Sequence, residues 1–331
     1  MKQSKISSIV VFGEALADEF PEQKIIGGAP FNVARTLAHF GCAPLMISRI
    51  GQDTIGELIQ ADMQRCGMSA LGLQIDTVRP SGRVVVTQNN PVDSSSHQFG
   101  ILPDQAYDYI DQAEAQLAVA SYGQNRPAGL IYFGSLAQRC VTSRLSLNTL
   151  LREEKSLKYL DLNLRDGQVN ATIIDDSLCR ADIVKLNEDE LRYLLDQYSG
   201  GINTTLDINA DRLTWQPAVN GLMKQFDLQA IIITLGARGY AYFDVEGKFF
   251  SADQMPTPTV IVDTVGGGDA FSAVFLTGLY QGWPLAISLR RAHEFATAVC
   301  GIRGAVSSDA HFYQSWMQRW AAEVQTESDL T

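Results

Sequence analysis

Long apolar runs, paired cysteines and clustered histidines are all missing from this chain of 331 residues. No apolar run reaches the roughly 18 residues that a membrane-spanning helix requires, so we expect no membrane span. The five cysteines include no Cys-x-x-Cys pair, which excludes the usual zinc spacing and favours reduced thiols in a cytoplasmic protein. The four histidines lie far apart, so we expect no metal centre built on imidazoles. The short apolar run near the N-terminus is followed at once by acidic residues and indicates a first strand, not a secretion signal.

Basic residues are also few relative to acidic ones. The chain has 26 Lys and Arg against 37 Asp and Glu, which gives a net charge of −11. Such a charge argues against a protein that coats nucleic acid, because phosphate backbones attract basic surfaces. A small anion can still be bound locally by converging backbone N–H groups. The composition, 46% hydrophobic and 19% charged, is typical of a globular protein and excludes disordered and collagen-like chains.

Short apolar runs alternate with helical patterns along most of the chain. Apolar residues recur at helical spacing in Phe31–Phe40 and Ile55–Cys66. Other runs are typical of buried strands: Ser8–Phe12, Pro44–Ile50, Gly129–Phe133, Leu157–Leu162, Ile183–Leu186 and Ala230–Leu235. This alternation predicts one α/β domain over residues 1–331, with a mostly parallel sheet covered on both faces.

Two segments depart from this alternation. Glu14–Ile26 is extended, and Ser81–Gly100 shows strand-like alternation with a polar turn at Asn89–Asn90. We expect them to form a small sheet, spanning about 14–27 and 81–102, over the carboxyl edge of the main sheet. Because open α/β sheets bind ligands at that edge, the small sheet would act as a lid. A third segment, Ser199–Asp211, is polar and predicts a surface loop.

The strongest chemical signal is the motif VDTVGGGDAFSA, Val262–Ala273. Three glycines at a predicted strand-to-helix junction allow a tight turn that aims backbone N–H groups in one direction. The positive end of the following helix adds to this anion cradle. Asp269 beside the cradle suits a general base for an attacking hydroxyl, although an aspartate here could also simply cap the helix. The motif is neither a Walker A loop nor a GxGxxG fingerprint.

A second glycine motif, GGAPFNVA, begins at Gly27. Glycines here would let the backbone approach a ligand, and Asn32 offers both a donor and an acceptor. Together with Asp18 it could hold vicinal hydroxyls. The alternative is an ordinary asparagine in the first helical turn and a solvated aspartate.

In combination these motifs resemble the ribokinase/PfkB family of sugar and nucleoside kinases. The resemblance runs nearly end to end and includes GQDTIG at Gly51–Gly56, DLNLR at Asp161–Arg165, NEDE at Asn187–Glu190 and TLGARG at Thr234–Gly239. It implies a ribokinase-like three-layer α/β/α fold with a small β-sheet lid. The GEAxxD run and GGAP are most similar to the fructokinase branch.

The resemblance also implies residue roles around the reacting groups. Asp269 would be the catalytic base, and the backbone of Gly266, Gly267 and Gly268 would form the anion hole. The residues that would hold the sugar are Asp18, Gly28 and Asn32. Asn163 and Arg165 would face substrate or phosphate, since arginine forks onto anions.

Further roles concern ATP and ions. Asn187 and Glu190 would organise Mg²⁺, mainly through water, although a helix cap with an acid in the first turn would give the same pattern. The residues that would line the nucleotide site are Thr234, Gly236 and Gly239, with His293 at the adenine. A surface or half-buried histidine is the alternative for His293. Asp263 resembles part of a potassium-binding edge.

The sequence therefore predicts an ATP-dependent sugar kinase that acts on fructose. 2-Keto-3-deoxygluconate kinase is the nearest alternative, since Arg165 or Arg83 could pair with an acid sugar, and ribokinase is a further one. A non-catalytic sugar-binding protein on the same fold is the alternative from another class. Expected partners are ATP and a small sugar, with no nucleic acid or membrane, and a homodimer could form through the lid.

Overall fold

The computed structural model describes residues 6–20, 22–88, 97–124, 128–153, 155–198, 211–252 and 261–328. The predicted turn at Asn89–Asn90 and residues 199–210 of the predicted surface loop lie outside these ranges.

Strands and helices alternate over most of the described chain. The strands are β1 Ile9–Phe12, β2 Leu16–Glu19, β3 Lys24–Gly27, β4 Leu45–Gly51, β5 Leu73–Asp76, β6 Gly82–Gln88, β7 His97–Ile101, β8 Leu130–Gly134, β9 Leu157–Asp161, β10 Ile183–Asn187, β11 Ala230–Thr234, β12 Tyr240–Asp244 and β13 Phe249–Ala252. The α-helices are α1 Ala29–His39, α2 Thr54–Arg65, α3 Gln112–Tyr122, α4 Val141–Leu150, α5 Ala171–Leu178, α6 Glu188–Tyr198, α7 Gln216–Phe226, α8 Gly267–Gln281, α9 Leu285–Val299 and α10 Ala310–Ser328. Single turns of 3₁₀ helix lie at Ala106–Tyr109, Leu136–Gln138, Arg212–Trp215 and Gly236–Arg238.

Within the described residues, the main sheet has nine strands in the order β13-β12-β11-β10-β9-β8-β1-β4-β5. All neighbouring pairs from β11 to β5 are parallel, whereas β12 and β13 pair antiparallel at one edge. Strands β12 and β13 were not predicted from the sequence. Their signal is an alternating aromatic stretch, Tyr240–Phe250, interrupted at Glu246–Gly247, which is typical of a hairpin.

Helices cover both faces of this sheet, so the predicted three-layer α/β/α fold is confirmed. Alternate strand residues enter opposite cores: Val10 and Phe12 pack with helices α3 to α7, and Ile9 and Val11 pack with α1, α2 and α8 to α10. Burial on both faces is the reason that these strands are continuously apolar in the sequence. Among the described residues, none of the helices has the length and hydropathy needed to span a bilayer.

A separate four-stranded sheet, β3-β2-β6-β7, forms from the two segments that depart from the alternation. Its outer pairs are antiparallel and its central pair, β2 with β6, is parallel. Strand β2 follows β1, and β6 follows β5, so both leave the main sheet from its carboxyl edge. Because both strands leave the main sheet at the same edge, β2 and β6 run in the same direction and pair in parallel.

The GQDTIG motif at Gly51–Gly56 joins the two sheets. Asp53 caps helix α2 by accepting the Gly56 N–H at 2.8 Å. Its carboxylate also accepts the N–H of Ser81 at 2.8 Å and the Ser81 hydroxyl at 2.7 Å. Because Ser81 directly precedes β6, Asp53 fixes the position at which β6 begins.

Helices α8 and α9 approach closely at Gly278. A Cβ atom at this position would lie 2.2 Å from Ser288 Oγ and 2.6 Å from Ser288 Cβ. Gly221 in helix α7 is the opposite case, since a Cβ there would have no neighbour within 4 Å.

These two helical glycines yield a matched stability test. We expect Gly278→Ala to lower the free energy of unfolding by about 1–3 kcal/mol, because overpacking outweighs the gain in helix propensity. Gly221→Ala should instead raise it by about 0.5–1 kcal/mol. Urea unfolding of both variants measures the difference, and equal shifts in the two variants would contradict the packing argument.

Candidate functional site

A cavity of about 440 Å³ lies at the carboxyl edge of the main sheet. Residues from β9, β10 and β11 line its floor together with Glu14, which follows β1. The small sheet lines its other side with Leu16, Asp18, Val84 and Ile101. The cavity brings together eleven residues that the sequence analysis singled out: Asp18, Gly28, Asn32, Asn163, Arg165, Asn187, Glu190, Thr234, Gly266, Gly268 and Asp269.

Five other predicted site residues do not line this cavity: Gly236, Gly239, Asp263, Gly267 and His293. His293 is 5% exposed in the middle of α9, against the ring of Tyr240 at 5.7 Å between centroids. Its pKa is lowered, first by burial and then by Arg212.

Asp269 occupies the first turn of helix α8. The N-cap is Gly266, whose φ of 82° lies in the left-handed region that glycine tolerates. Asp269 is therefore not the cap, which removes the alternative that the sequence left open. The N–H groups of Gly268 and Asp269 have no backbone acceptor among the described residues, so they are available to an anion.

The carboxylate of Asp269 accepts a hydrogen bond from Asn32 Nδ2 at 2.7 Å. Burial and the negative charge of Asp161 raise the pKa of Asp269 to about 6, while the Asn32 hydrogen bond, Lys185 and Arg165 oppose that rise. Asp269 is therefore ionised near neutral pH, yet it is a stronger base than a solvated aspartate. Both properties suit a group that takes a proton from a hydroxyl.

Arg35 sets the orientation of the Asn32 amide. Its guanidinium donates to Asn32 Oδ1 at 2.5 Å and to the carbonyl of Ile26 at 3.0 Å, and it forms an ion pair with Asp62. Because Oδ1 accepts from Arg35, the NH₂ group of the amide must face Asp269. Arg35 was not predicted as a site residue, although its place one helical turn after Asn32 was a usable signal.

A buried ion pair lies beneath Asp269. Lys185 Nζ lies 2.8 Å from Asp161 Oδ1, and both side chains are less than 10% exposed. The other oxygen of Asp161 accepts from Ser272 Oγ at 2.9 Å and from the Tyr132 hydroxyl at 3.1 Å. Neither Asp161 nor Lys185 was predicted from the sequence as a site residue. Asp161 opens the DLNLR motif, whereas a lysine inside an apolar strand is recognisable only as an unexplained buried charge.

Glu14 is a further carboxyl group that the sequence analysis did not assign. It lines the cavity, is 4% exposed, and its Oε2 has no hydrogen-bond partner among the described residues. Burial raises its pKa to about 7 against the lowering effect of its own backbone N–H and of Arg165. Gly28 packs directly on this residue, because a Cβ at Gly28 would lie 2.7 Å from the Glu14 carbonyl oxygen.

Asp18 stands on strand β2, at the small-sheet side of the cavity. Burial raises its pKa to about 6, Arg165 lowers it, and Asp263 adds to the rise. Asp18 and Asn32 are neighbours, since a Cβ at Gly27 would lie 3.5 Å from Asp18 Oδ2 and 4.0 Å from Asn32 Oδ1. A carboxylate and an amide thus face the cavity together.

Asn187 and Glu190 form a reciprocal cap at the start of helix α6. Asn187 Oδ1 accepts the Glu190 N–H at 2.9 Å, and Glu190 accepts the Asn187 N–H at 2.8 Å and the Leu164 N–H at 2.7 Å. This is the cap that the sequence left as an alternative. It does not exclude a role toward metal, because the carboxyl group accepts two N–H groups and retains lone pairs for metal-bound water.

The cavity offers little for direct metal coordination. Over the described ranges, no three Asp, Glu, His or Cys side chains are grouped closely enough to hold a metal ion by themselves. Glu190 lies on the cavity wall with remaining acceptor capacity, so the residues present fit a hydrated Mg²⁺, which gives up water reluctantly.

Asp263 stabilises the loops behind the glycine turn. One carboxylate oxygen accepts the Val265 N–H at 2.9 Å and the other accepts the Gly304 N–H at 3.2 Å. Its place in a potassium site remains a prediction.

Comparison with known proteins gives the same assignment as the motifs. Residues 7–311 match the family described as "pfkB family carbohydrate kinase". Fructokinase from Escherichia coli is 28% identical over 286 residues, which cover 82% of this chain and 84% of that protein.

Solved structures show the same fold. A crystal structure of fructokinase with bound ATP from Xylella fastidiosa has a TM-score of 0.77 at 21% identity and covers 97% of this chain and 100% of that one. A fructokinase from Vibrio cholerae O395, with fructose, ADP and a calcium ion bound, has a TM-score of 0.72 at 20% identity over 93% of this chain and 98% of that one.

The buried Lys185–Asp161 pair leads to a stability prediction. We expect Lys185→Met to lower the free energy of unfolding by about 3–5 kcal/mol, because it leaves a buried carboxylate without its cation. In the double variant Lys185→Met/Asp161→Asn this charge is absent, so at least half of the loss should be recovered. Urea unfolding tests both, and a loss below about 1 kcal/mol in the single variant would show that the pair is not needed.

Proposed function

The chain belongs to the pfkB family of carbohydrate kinases, and we propose that it transfers the γ-phosphate of ATP to a hydroxyl of fructose. The observation that carries this proposal is the meeting of Asp269, Asn32 and the glycine turn in one cavity. The likeness to fructokinases in sequence supports the choice of sugar.

The proposed step has Asp269 as general base. Its carboxylate accepts the proton of the sugar hydroxyl while the hydroxyl oxygen forms a bond to the γ-phosphorus. The bond from that phosphorus to the β,γ-bridging oxygen breaks, and ADP leaves with the bonding electron pair. A pKa of about 6 keeps Asp269 ready to accept this proton at neutral pH.

Charge on the transferring phosphoryl group would be stabilised by the start of helix α8. The N–H groups of Gly268 and Asp269 are open, and the helix dipole adds positive partial charge. The Gly267 N–H lies 3.4 Å from the Thr264 carbonyl oxygen, a weak bond that a phosphoryl oxygen could replace. We retain Gly266, Gly267 and Gly268 as the proposed anion hole.

The sugar would lie between the two sheets. Asp18, Asn32 and the backbone of Gly28 face it from one side, and Glu14 adds a carboxyl group with an unused oxygen. Asn163 and Arg165 line the same cavity, so an acid sugar such as 2-keto-3-deoxygluconate would also find a cation there. A panel of fructose, ribose and sugar acids in a coupled ADP-release assay decides among them.

The nucleotide and ions would occupy the other end of the cavity. Thr234 lines it at the end of β11, and we propose that Gly236 and Gly239 continue the ATP site, with His293 beneath it. Asn187 and Glu190 would hold Mg²⁺ through water, and Mg²⁺ would supply charge neutralisation of the phosphates. We propose K⁺ near Asp263, by resemblance.

The small sheet is proposed as a lid that excludes water, and its outer face as a homodimer contact. Four of its described residues, Leu16, Asp18, Val84 and Ile101, line the cavity, which supports the first of these roles. All five cysteines are free thiols, which fits the cytoplasmic location that we propose.

Asp269→Asn tests the assigned base. We expect kcat to fall by about 10²–10⁴-fold, the usual contribution of general-base catalysis, while the Kd for fructose measured by calorimetry changes by less than about threefold. Asp227→Asn is the matched control, because Asp227 caps the far end of α7 and does not line the cavity. Full turnover in Asp269→Asn would rule out the base, and the absence of turnover in the wild-type protein would favour a sugar-binding protein without catalysis.

The pH profile tests the positioning role of Arg35. Because Asp269 must be ionised, kcat/KM should fall as the pH drops through about 6, where its pKa lies. Arg35→Met frees the Asn32 amide, and loss of its hydrogen bond to Asp269 should move this acid limb roughly 0.5–1 pH unit upward. Arg144→Met, on the exterior helix α4, should leave the limb in place. An unshifted limb in Arg35→Met would assign Arg35 a merely structural role.

A further inference from the structure

A second cavity, of about 500 Å³, lies between strand β3, helices α1 and α2, and the loop 303–306. It shares no lining residue with the catalytic cavity. We call it the arginine groove, after its charged lining residues Lys24, Arg35, Asp62, Arg65 and Arg303.

The arginine groove is cationic in a protein whose net charge is −11. Four of its charged lining side chains are basic and one is acidic. Asp62 forms ion pairs with both Arg35 and Arg65, so its charge is already offset by two guanidinium groups. Lys24 pairs with Glu19 at 2.8 Å. The local excess of positive charge therefore rests mainly on the arginines.

Two of these arginines hold unused hydrogen-bond donors. Arg303 is exposed and makes no hydrogen bond or ion pair with any other described residue. Arg35 is 5% exposed, and its buried Nε has no partner in the described part of the chain. A buried donor without a partner is costly, which favours a ligand that accepts from it.

We propose that the arginine groove binds the phosphate group of a small molecule. Guanidinium groups fork onto phosphate oxygens and form the strong, charge-assisted class of hydrogen bond. The volume exceeds the needs of a lone phosphate ion, and the apolar walls Ile26, Leu58 and Val306 suit the carbon skeleton of a sugar. Inorganic phosphate and a phosphorylated sugar are the two sources of this chemistry.

Both walls of the groove contact residues of the catalytic cavity. Arg35 donates to Asn32, which in turn donates to Asp269. On the other wall, Ala305 packs against the glycine turn, because a Cβ on Gly266 would lie 2.3 Å from Ala305 Cβ. A phosphate that draws on Arg35 weakens the hydrogen bond that orients Asn32. The groove thereby becomes an inhibitory site for the kinase activity proposed above.

Calorimetric titration of the intact protein with inorganic phosphate tests binding without any need for catalysis. We expect saturable binding that Arg303→Ala weakens by about tenfold, the value of one charge-assisted hydrogen bond. Arg152→Ala removes the same charge beyond helix α4, outside both cavities, and should change nothing. If phosphate binding does not saturate, or if the wild type and Arg303→Ala bind phosphate with equal affinity, the proposal of a phosphate site is wrong.

Two further measurements identify the ligand and the coupling. If fructose 6-phosphate binds more tightly than inorganic phosphate, and Arg303→Ala weakens its binding by the same factor, the ligand is a phosphorylated sugar. If the two compounds bind with equal affinity, the ligand is the free phosphate ion. Saturating phosphate should lower kcat severalfold in the wild type, and Arg303→Ala should need about ten times more phosphate for the same loss of kcat. If phosphate does not change the kcat of the wild type, the groove is not coupled to the catalytic cavity. The binding titration needs no turnover, so its result stands even if the proposed kinase activity is wrong.

Discussion

The hydrogen bond between Asn32 and Asp269 joins the starts of helices α1 and α8, whose residues are 237 positions apart in the chain. It fixes the distance between the two glycine motifs and thus the width of the cavity where a hydroxyl would meet a phosphate. Arg35 holds one end of this bond from the side of the small sheet, through the Ile26 carbonyl. The positions of the proposed base, the proposed anion hole and the small sheet are therefore linked through one amide.

The electrostatics of the site follow from the burial of several carboxyl groups at one sheet edge. Glu14, Asp18 and Asp269 all have pKa values raised mainly by burial. Lys185 forms an ion pair with Asp161 and offsets its negative charge. Without Lys185, the charge on Asp161 would raise the pKa of Asp269 further. Net charge is a poor guide to such a site: an acidic protein can still present open backbone N–H groups, a helix terminus and a few well-placed cations to an anion.

Much of the fold could be predicted from the sequence because its signals are local. Apolar runs such as Ala230–Thr234 are buried on both faces, and a parallel sheet is the structure that permits this. The hairpin β12–β13 was the main part of the sheet that was not predicted. Its alternating aromatic residues indicate strands, but no helix separates these strands as in the rest of the chain. For the site, eleven of the selected residues line one cavity because strand ends and helix starts are marked by glycine and polar residues. Whether Asp269 capped its helix could not be decided from the sequence, since that depends on the φ angle of Gly266.

By itself the sequence determined the fold class, the kinase family and the type of chemistry, because these are written in periodicity and in short motifs. Only the tertiary structure revealed Arg35, Lys185, Asp161 and Glu14 as parts or supports of the site. Their roles arise from contacts between segments that are distant in the chain, and no local pattern distinguishes a lysine in a strand from the cation of a buried pair. The arginine groove likewise depends on the tertiary structure. Its basic side chains come from four separate segments, and only packing makes them neighbours.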